Sequence, residues 1–328
     1  MSLARPPQQV RLGFGPILLR IIGLALLFGV LGAMVWSYMA ASSADRYEVL
    51  SPTSDPPGEI VTLTNGESVH YRSIGSGAPV LFIHGFDLAG GYQWLSLAEQ
   101  LSGFRLIIPD QVDFGFSARP AGNGQVHTVF GRAQTMLAFL GELEIERATV
   151  VGAGLGGAVA AQMAVNNADM IDRLVLISAE IYGPADDWTA TFYGLPVVGK
   201  ALNFTSYGGG GRAVANYESE CATGGFCPTA EDHNARQIGA AMAGTSDALA
   251  AISATPGAAT VPADLPAIGA PTLVIWGDED QVTPLADGRR LAEEIEAATI
   301  EVIPGAGHHP HREDPTATAG LITAFLAS

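Results

Sequence analysis

Positive charge is scarce in this chain of 328 residues: Lys and Arg total 16 against 33 Asp and Glu, for a net charge of −17. Three of the cations, Arg5, Arg11 and Arg20, lie in the first 41 residues, where there is no acid, so the rest of the chain sets 13 cations against 33 anions. A body this acidic repels phosphate backbones and anionic lipid surfaces, which excludes nucleic acid as a partner. Charged residues of either sign make up only 15% of the chain and hydrophobic residues 48%, a balance that suits a large core plus a lipid-embedded segment. Cysteine is nearly absent. Cys221 and Cys227 are the only two, and without a Cys-x-x-Cys they make a poor zinc site. In an exported domain, a pair closing the short loop through Gly224 and Gly225 is expected to form a disulfide. Internal repeats are missing as well. No metal and no cofactor is expected.

Long apolar runs are confined to the N-terminus. Ile21–Ala44 is 24 residues without a charge, long enough as a helix to cross a hydrocarbon core of about 30 Å. Trp36 and Tyr38 sit near its far end, where interfacial aromatics belong, and the arginines precede it. The positive-inside rule then places the N-terminus in the cytoplasm and the body outside the cytoplasmic membrane. A cleavable signal peptide is the rival, with Ala40–Ala44 as a small-residue cleavage site, but the apolar run exceeds a usual signal core. Residues 1–20 are expected as a cytoplasmic segment, 21–44 as a single-pass signal anchor in the bilayer, and 45–58, with Pro52, Pro56 and Pro57, as a linker. Gly23, Gly29 and Gly32 would allow the helix to pack on a membrane-protein partner.

Beyond the linker, the pattern alternates. Glu59–Leu63 and Ser68–Ser73 flank Asn65-Gly66 as a hairpin. Strand-like runs follow at Pro79–Ile83, Arg105–Ile108, Ala148–Val151, Arg173–Ile177, Thr272–Trp276 and Thr299–Ile303. Helical stretches lie between most of them, among them Val129–Gly141, Leu155–Asn166 and Leu285–Ala297, and Pro315–Ala327 closes the chain. This order predicts an α/β fold, a mostly parallel eight-stranded sheet with helices on both faces. Residues 59–180 and 264–328 would form that core. The 181–263 insert is too long for a loop and is expected to be a helical cap. Its Gly208–Gly211 run lacks the Gly-Lys-Ser/Thr of a phosphate loop and reads as a lid segment.

Motifs fall at the strand ends: His84-Gly85-Phe86-Asp87, Pro109-Asp110 through Ser117, Gly152-Ala153-Gly154-Leu155-Gly156, Gly277-Asp278-Glu279-Asp280, and Gly305-Ala306-Gly307-His308. In this order they resemble the α/β-hydrolase superfamily, and within it the capped esterase, haloperoxidase and C–C hydrolase group. The resemblance implies an oxyanion hole from the N–H groups of Phe86 and Leu155, His308 as general base, and Asp280 as its orienting acid. The nucleophile would stand at residue 154, in the pattern G-x-S-x-G. That position holds glycine.

Elbow nucleophiles sit at positive φ, costing on the order of 1–3 kcal/mol, and glycine reaches that region almost freely. Gly154 therefore keeps the turn and removes the attacking atom. A natural pseudoenzyme, an enzyme that uses water, and a replaced serine all fit. The leading expectation is a binding or accessory subunit without acyl-enzyme chemistry, which takes a small acyl or ester-like ligand. The alternative is a hydrolase of small esters acting through His308, Asp280 and water. Gly152, Gly154 and Gly157 also satisfy the dinucleotide fingerprint G-x-G-x-x-G, a remote alternative because two strands with hydrolase motifs precede it. His84 is expected to brace its loop, and Asp87 and Glu180 are further carboxylates able to face the pocket. His309 and His311 beside His308 lack a carboxylate spaced to complete a metal site.

Overall fold

A long helix opens the structure. The computed structural model describes residues 14–51, 56–120, 124–182, 195–207, 226–255 and 264–328; Cys221, one end of the expected disulfide, and the Gly208–Gly211 run lie outside them. Helix α1, Phe14–Tyr47, has 34 residues, about 51 Å at 1.5 Å per residue. It is thus longer at both ends than the expected 21–44 span, and its Ile21–Tyr47 stretch is long and apolar enough to cross a membrane. Residues 21–36 are exposed on every side of the helix, Leu26, Phe28, Met34 and Val35 among them, while Ser37, Ala40 and Ala44 are buried. These three small residues recur at helical spacing, so they share one face.

Strand β1 (Glu59–Thr62) pairs antiparallel with β2 (Ser68–Gly75), which pairs antiparallel with β4 (Phe104–Pro109). Strands β3 (Ala78–Ile83), β4, β5 (Ala148–Ala153), β6 (Ile171–Ile177), β7 (Thr272–Gly277) and β8 (Ala298–Ile303) are parallel to one another. The eight strands run in the order β1-β2-β4-β3-β5-β6-β7-β8. The central strands are buried on both faces because helices cover both. Helices α2 (Val129–Glu142) and α3 (Leu155–Asn166) pack with Leu81, Val150 and Leu176 in one core layer. On the other side Trp94 and Leu97 pack with Val80, Val151 and Ile275.

Between β6 and β7 lie α4 (Pro196–Ser206), α5 (Ala230–Ala241) and α6 (Thr245–Ala254), so the described part of the expected cap is largely helical. Helix α1 packs on α4; Tyr47 meets Phe204 edge-on at 6.1 Å between ring centroids. The start of the expected linker is no free tether: Leu50 donates to Ala241 O at 3.0 Å and accepts from Ala243 N at 2.9 Å. After β7 come α7 (Leu285–Glu294) and, past β8, α8 (Pro315–Ala327), which adds Ala319 and Ile322 to the second core layer.

Candidate active site

The turn from β5 into α3 is set by glycines. A side chain on Gly152 would run into the Gly156 carbonyl, one on Gly156 into the Ile83 and His84 carbonyls, and one on Gly157 would come within 2.5 Å of Ala179 Cβ. Strand, helix and neighbouring strand ends approach too closely for anything larger. This close packing inside the sheet accounts for the glycines of the fingerprint without a dinucleotide. Gly154 itself caps α3 at φ 53° and ψ −123°, the left-handed side of backbone space that favours glycine.

The β6 end is tied to this turn. Gly154 N donates to Ile177 O at 3.0 Å, and Glu180 N donates to Gly154 O at 3.0 Å. That second bond brings the Glu180 side chain to the elbow. A Cβ on Gly154 would lie 3.0 Å from Glu180 Oε1, 3.5 Å from His308 Nε2 and 3.7 Å from Gly85 Cα. Across the same point Glu180 Oε1 and His308 Nε2 are 3.6 Å apart. The spot from which a nucleophilic side chain would project is therefore flanked by a carboxylate and an imidazole.

His308 is held from its other nitrogen. Its Nδ1 lies 3.0 Å from Asp280 Oδ2, as a donor to that carboxylate. Asp280 also accepts from the Val282 and Thr283 backbone N–H groups at 2.8 and 2.9 Å and from the Thr283 hydroxyl at 2.8 Å. Burial raises the proton affinity of this carboxyl, but the hydrogen bond and charge of His308 outweigh it and hold Asp280 down to about 2. Burial works against the imidazolium of His308, yet the two carboxylates on either side bring it up to about 9. At neutral pH the His308 ring thus keeps its proton, with the Asp280 and Glu180 side chains on either side. His309, its ring 5.0 Å away, is pushed by burial down to about 3 and stays neutral.

Gly154, Glu180 and His308 line one pocket of about 190 Å³ with Gly85, Phe86, Gln93 and His309. Among the described residues, neither Phe86 nor Leu155 has a hydrogen-bond acceptor for its backbone N–H. Leu155 is the first residue of α3, where no carbonyl of the helix itself is within reach. Gln93 accepts from His311 Nε2 at 3.0 Å, and its own Nε2 is buried with no partner.

Neither His84 nor Asp87 lines this pocket. His84 is fully buried; its Nδ1 donates to Gly85 O at 2.6 Å and its Nε2 accepts from Gln111 N at 2.8 Å. Burial lowers its proton affinity, so it braces the loop as a neutral ring. Asp87 is neither solvent-exposed nor pocket-facing: it is 6% exposed and paired with Arg236 on α5 at 3.2 Å and Arg312 at 3.1 Å. Despite its burial, the two guanidiniums hold its carboxyl well below the usual range. Arg312 also reaches Asp232 on α5 at 2.7 Å. This network, Thr283 and Gln93 were not singled out from the sequence, since nothing local to those residues marks them. Among the described residues no cluster suits a metal ion.

Residues 80–321 match the model of the alpha/beta hydrolase family. The chain belongs to that family. Over 288 residues it is 28% identical to a 2-hydroxymuconate semialdehyde hydrolase of Pseudomonas sp. (strain CF600), covering 84% of this chain and 96% of the relative. An uncharacterised protein of Mycobacterium tuberculosis is 26% identical over 310 residues, covering 86% of this chain and 85% of that one. Among solved structures, a meta-cleavage product hydrolase from Pseudomonas fluorescens IP01 superposes with a TM-score of 0.63 at 25% identity, over 82% of this chain and 97% of that one. The structure of a membrane phospholipase A shares the fold at a TM-score of 0.66 and 23% identity, over 96% of this chain and 97% of that one. That coverage takes in α1 as well as the sheet.

Proposed function

We propose that this family member binds an ester-like acyl group in the pocket at Gly154 and never forms a covalent acyl-enzyme. The observation that carries this reading is the composition of the site around residue 154. Two backbone N–H groups without acceptors, an Asp280–His308 pair and an elbow at φ 53° surround a residue with no side chain. Donors of this kind stabilise negative charge on a carbonyl oxygen whether or not a serine attacks it. Glu180 brings a second acidic side chain to the pocket, so a neutral ester fits better than an acid. Calorimetric titration with butyranilide, a short acyl compound that resists hydrolysis, is expected to show binding that weakens in His308→Ala. Absence of binding would count against the reading.

The second part of the reading is location. Helix α1 is proposed to anchor the protein in the cytoplasmic membrane, with the body on the outer side. Its support is the length and apolar surface of the helix, and Arg5, Arg11 and Arg20 on one side of the run. Added protease should digest the body in intact spheroplasts; protection of the body until the cells are lysed would reverse the orientation.

A further inference from the structure

We propose that Glu180 takes over the task left by the missing nucleophile: it is the general base that activates water for direct attack on an ester bound at Gly154, with His308 as general acid. This rests on the acyl-binding reading above and assigns the chemistry of that same site. The geometry comes first. Glu180 Oε1 lies 3.0 Å from the point where a side chain at residue 154 would begin, and His308 Nε2 lies 3.5 Å from it. The carboxylate is placed there by its own backbone, through the Glu180 N to Gly154 O bond of 3.0 Å. A Cβ at residue 154 would crowd this carboxylate, so the glycine and the carboxylate position belong together.

Ordinarily the histidine of this fold accepts a proton from the nucleophile. Here the groups that face His308 oppose that role. Asp280 holds Nδ1 at 3.0 Å and Glu180 faces Nε2 at 3.6 Å, while the Thr283 hydroxyl and the neutral His309 ring make up its other polar surroundings. With carboxylates on both sides the ring keeps its proton to about 9. A ring already protonated cannot take a proton from water, but it can give one to a leaving group. The accepting role falls to the carboxylate on the other side of the elbow.

The step balances with water as the only co-reactant. Glu180 takes one proton from water as its oxygen bonds to the ester carbonyl carbon. The carbonyl electron pair moves onto the oxygen, which the Phe86 and Leu155 N–H groups face. When the pair returns, the bond to the alkoxide breaks and His308 Nε2–H protonates the departing oxygen. Acid and alcohol leave, and the proton on Glu180 passes to His308, restoring the pair. Nothing is oxidised or reduced, and no bond to the protein forms.

The test uses the full-length protein in detergent with p-nitrophenyl esters from acetate to dodecanoate. Wild type should turn over without an initial burst. Glu180→Gln should lower kcat at least about 100-fold, the size of a general-base contribution, with KM within about twofold and an unchanged far-ultraviolet circular dichroism spectrum. The pH profile should rise as a carboxyl group loses its proton and fall near pH 9, where His308 loses its own; the rising limb should disappear in Glu180→Gln. A mere structural role for Glu180 would not remove that limb. Three results would overturn the assignment: Glu180→Gln with wild-type kcat, an acyl adduct on Glu180 in rapid-quench mass spectra, or no turnover of any ester by a wild type that binds butyranilide. The last would leave the acyl-binding reading standing, whereas loss of butyranilide binding would remove both.

Discussion

At Gly154 the elbow has no side chain, and Glu180 and His308 flank the point where one would begin. The positive φ at Gly154 is met by glycine at little cost, and a Cβ there would lie 3.0 Å from Glu180 Oε1, so the carboxylate would have to shift by a few tenths of an ångström. His308 registers the same surroundings electrostatically. Its folded-state value of about 9 lies above the value of about 6.5 expected in an unfolded chain. The native state therefore binds this proton more tightly than the unfolded one, so the linked stability is fully present below about pH 6.5 and is lost as the pH rises through about 9. The melting temperature of wild type should fall across that window, and in His308→Gln the fall should flatten. Equal slopes in the two proteins would show that His308 is not held between the carboxylates as described.

At the scale of elements, the most informative contacts join parts of the chain that are distant in sequence. Glu48, just past α1, accepts from the Gly244 and Ser246 N–H groups at 3.1 and 3.0 Å and from the Ser246 hydroxyl, at the start of α6. Lys200 on α4 meets Asp45 at 2.7 Å and Asp247 at 2.6 Å. The end of the long helix is thereby fastened to the helices between β6 and β7. Glu48→Ala would leave buried donors at a helix N-terminus without their acceptor, a loss of about 1–3 kcal/mol. Urea unfolding in detergent measures it, and a change under about 0.3 kcal/mol would contradict the role. On the opposite side of the same helices, Asp87, Arg312, Arg236 and Asp232 tie α5 to the loops that carry Phe86 and His308.

For the whole molecule, periodicity and strand-end motifs were sufficient for the architecture. All eight predicted strands fall within a residue or two of the observed ones, and Gly154, His308 and Glu180 line one pocket, with Asp280 on the far nitrogen of His308. Such features are written locally: apolar runs set strands, and glycines set the turn that brings the ends together. What was not legible depends on partners far along the chain. Asp87 precedes Arg312 by 225 residues, and no local pattern says which carboxylate will meet which guanidinium. Ala40 and Ala44 were readable as part of a cleavage site; their burial within α1 shows a packing reason for small side chains there. The long-range ties join the long N-terminal helix to the helices between β6 and β7.

The central claim is that acyl chemistry here proceeds without a covalent intermediate on residue 154 or its neighbours. Whole-protein mass spectrometry after treatment with a fluorophosphonate, on wild type and Gly154→Ser side by side, tests it most directly. The account predicts an unmodified wild-type mass and one phosphonyl group on the serine variant, whose new hydroxyl would lie beside Glu180, the base this account assigns. A phosphonyl group on a pocket residue of the wild type would contradict it.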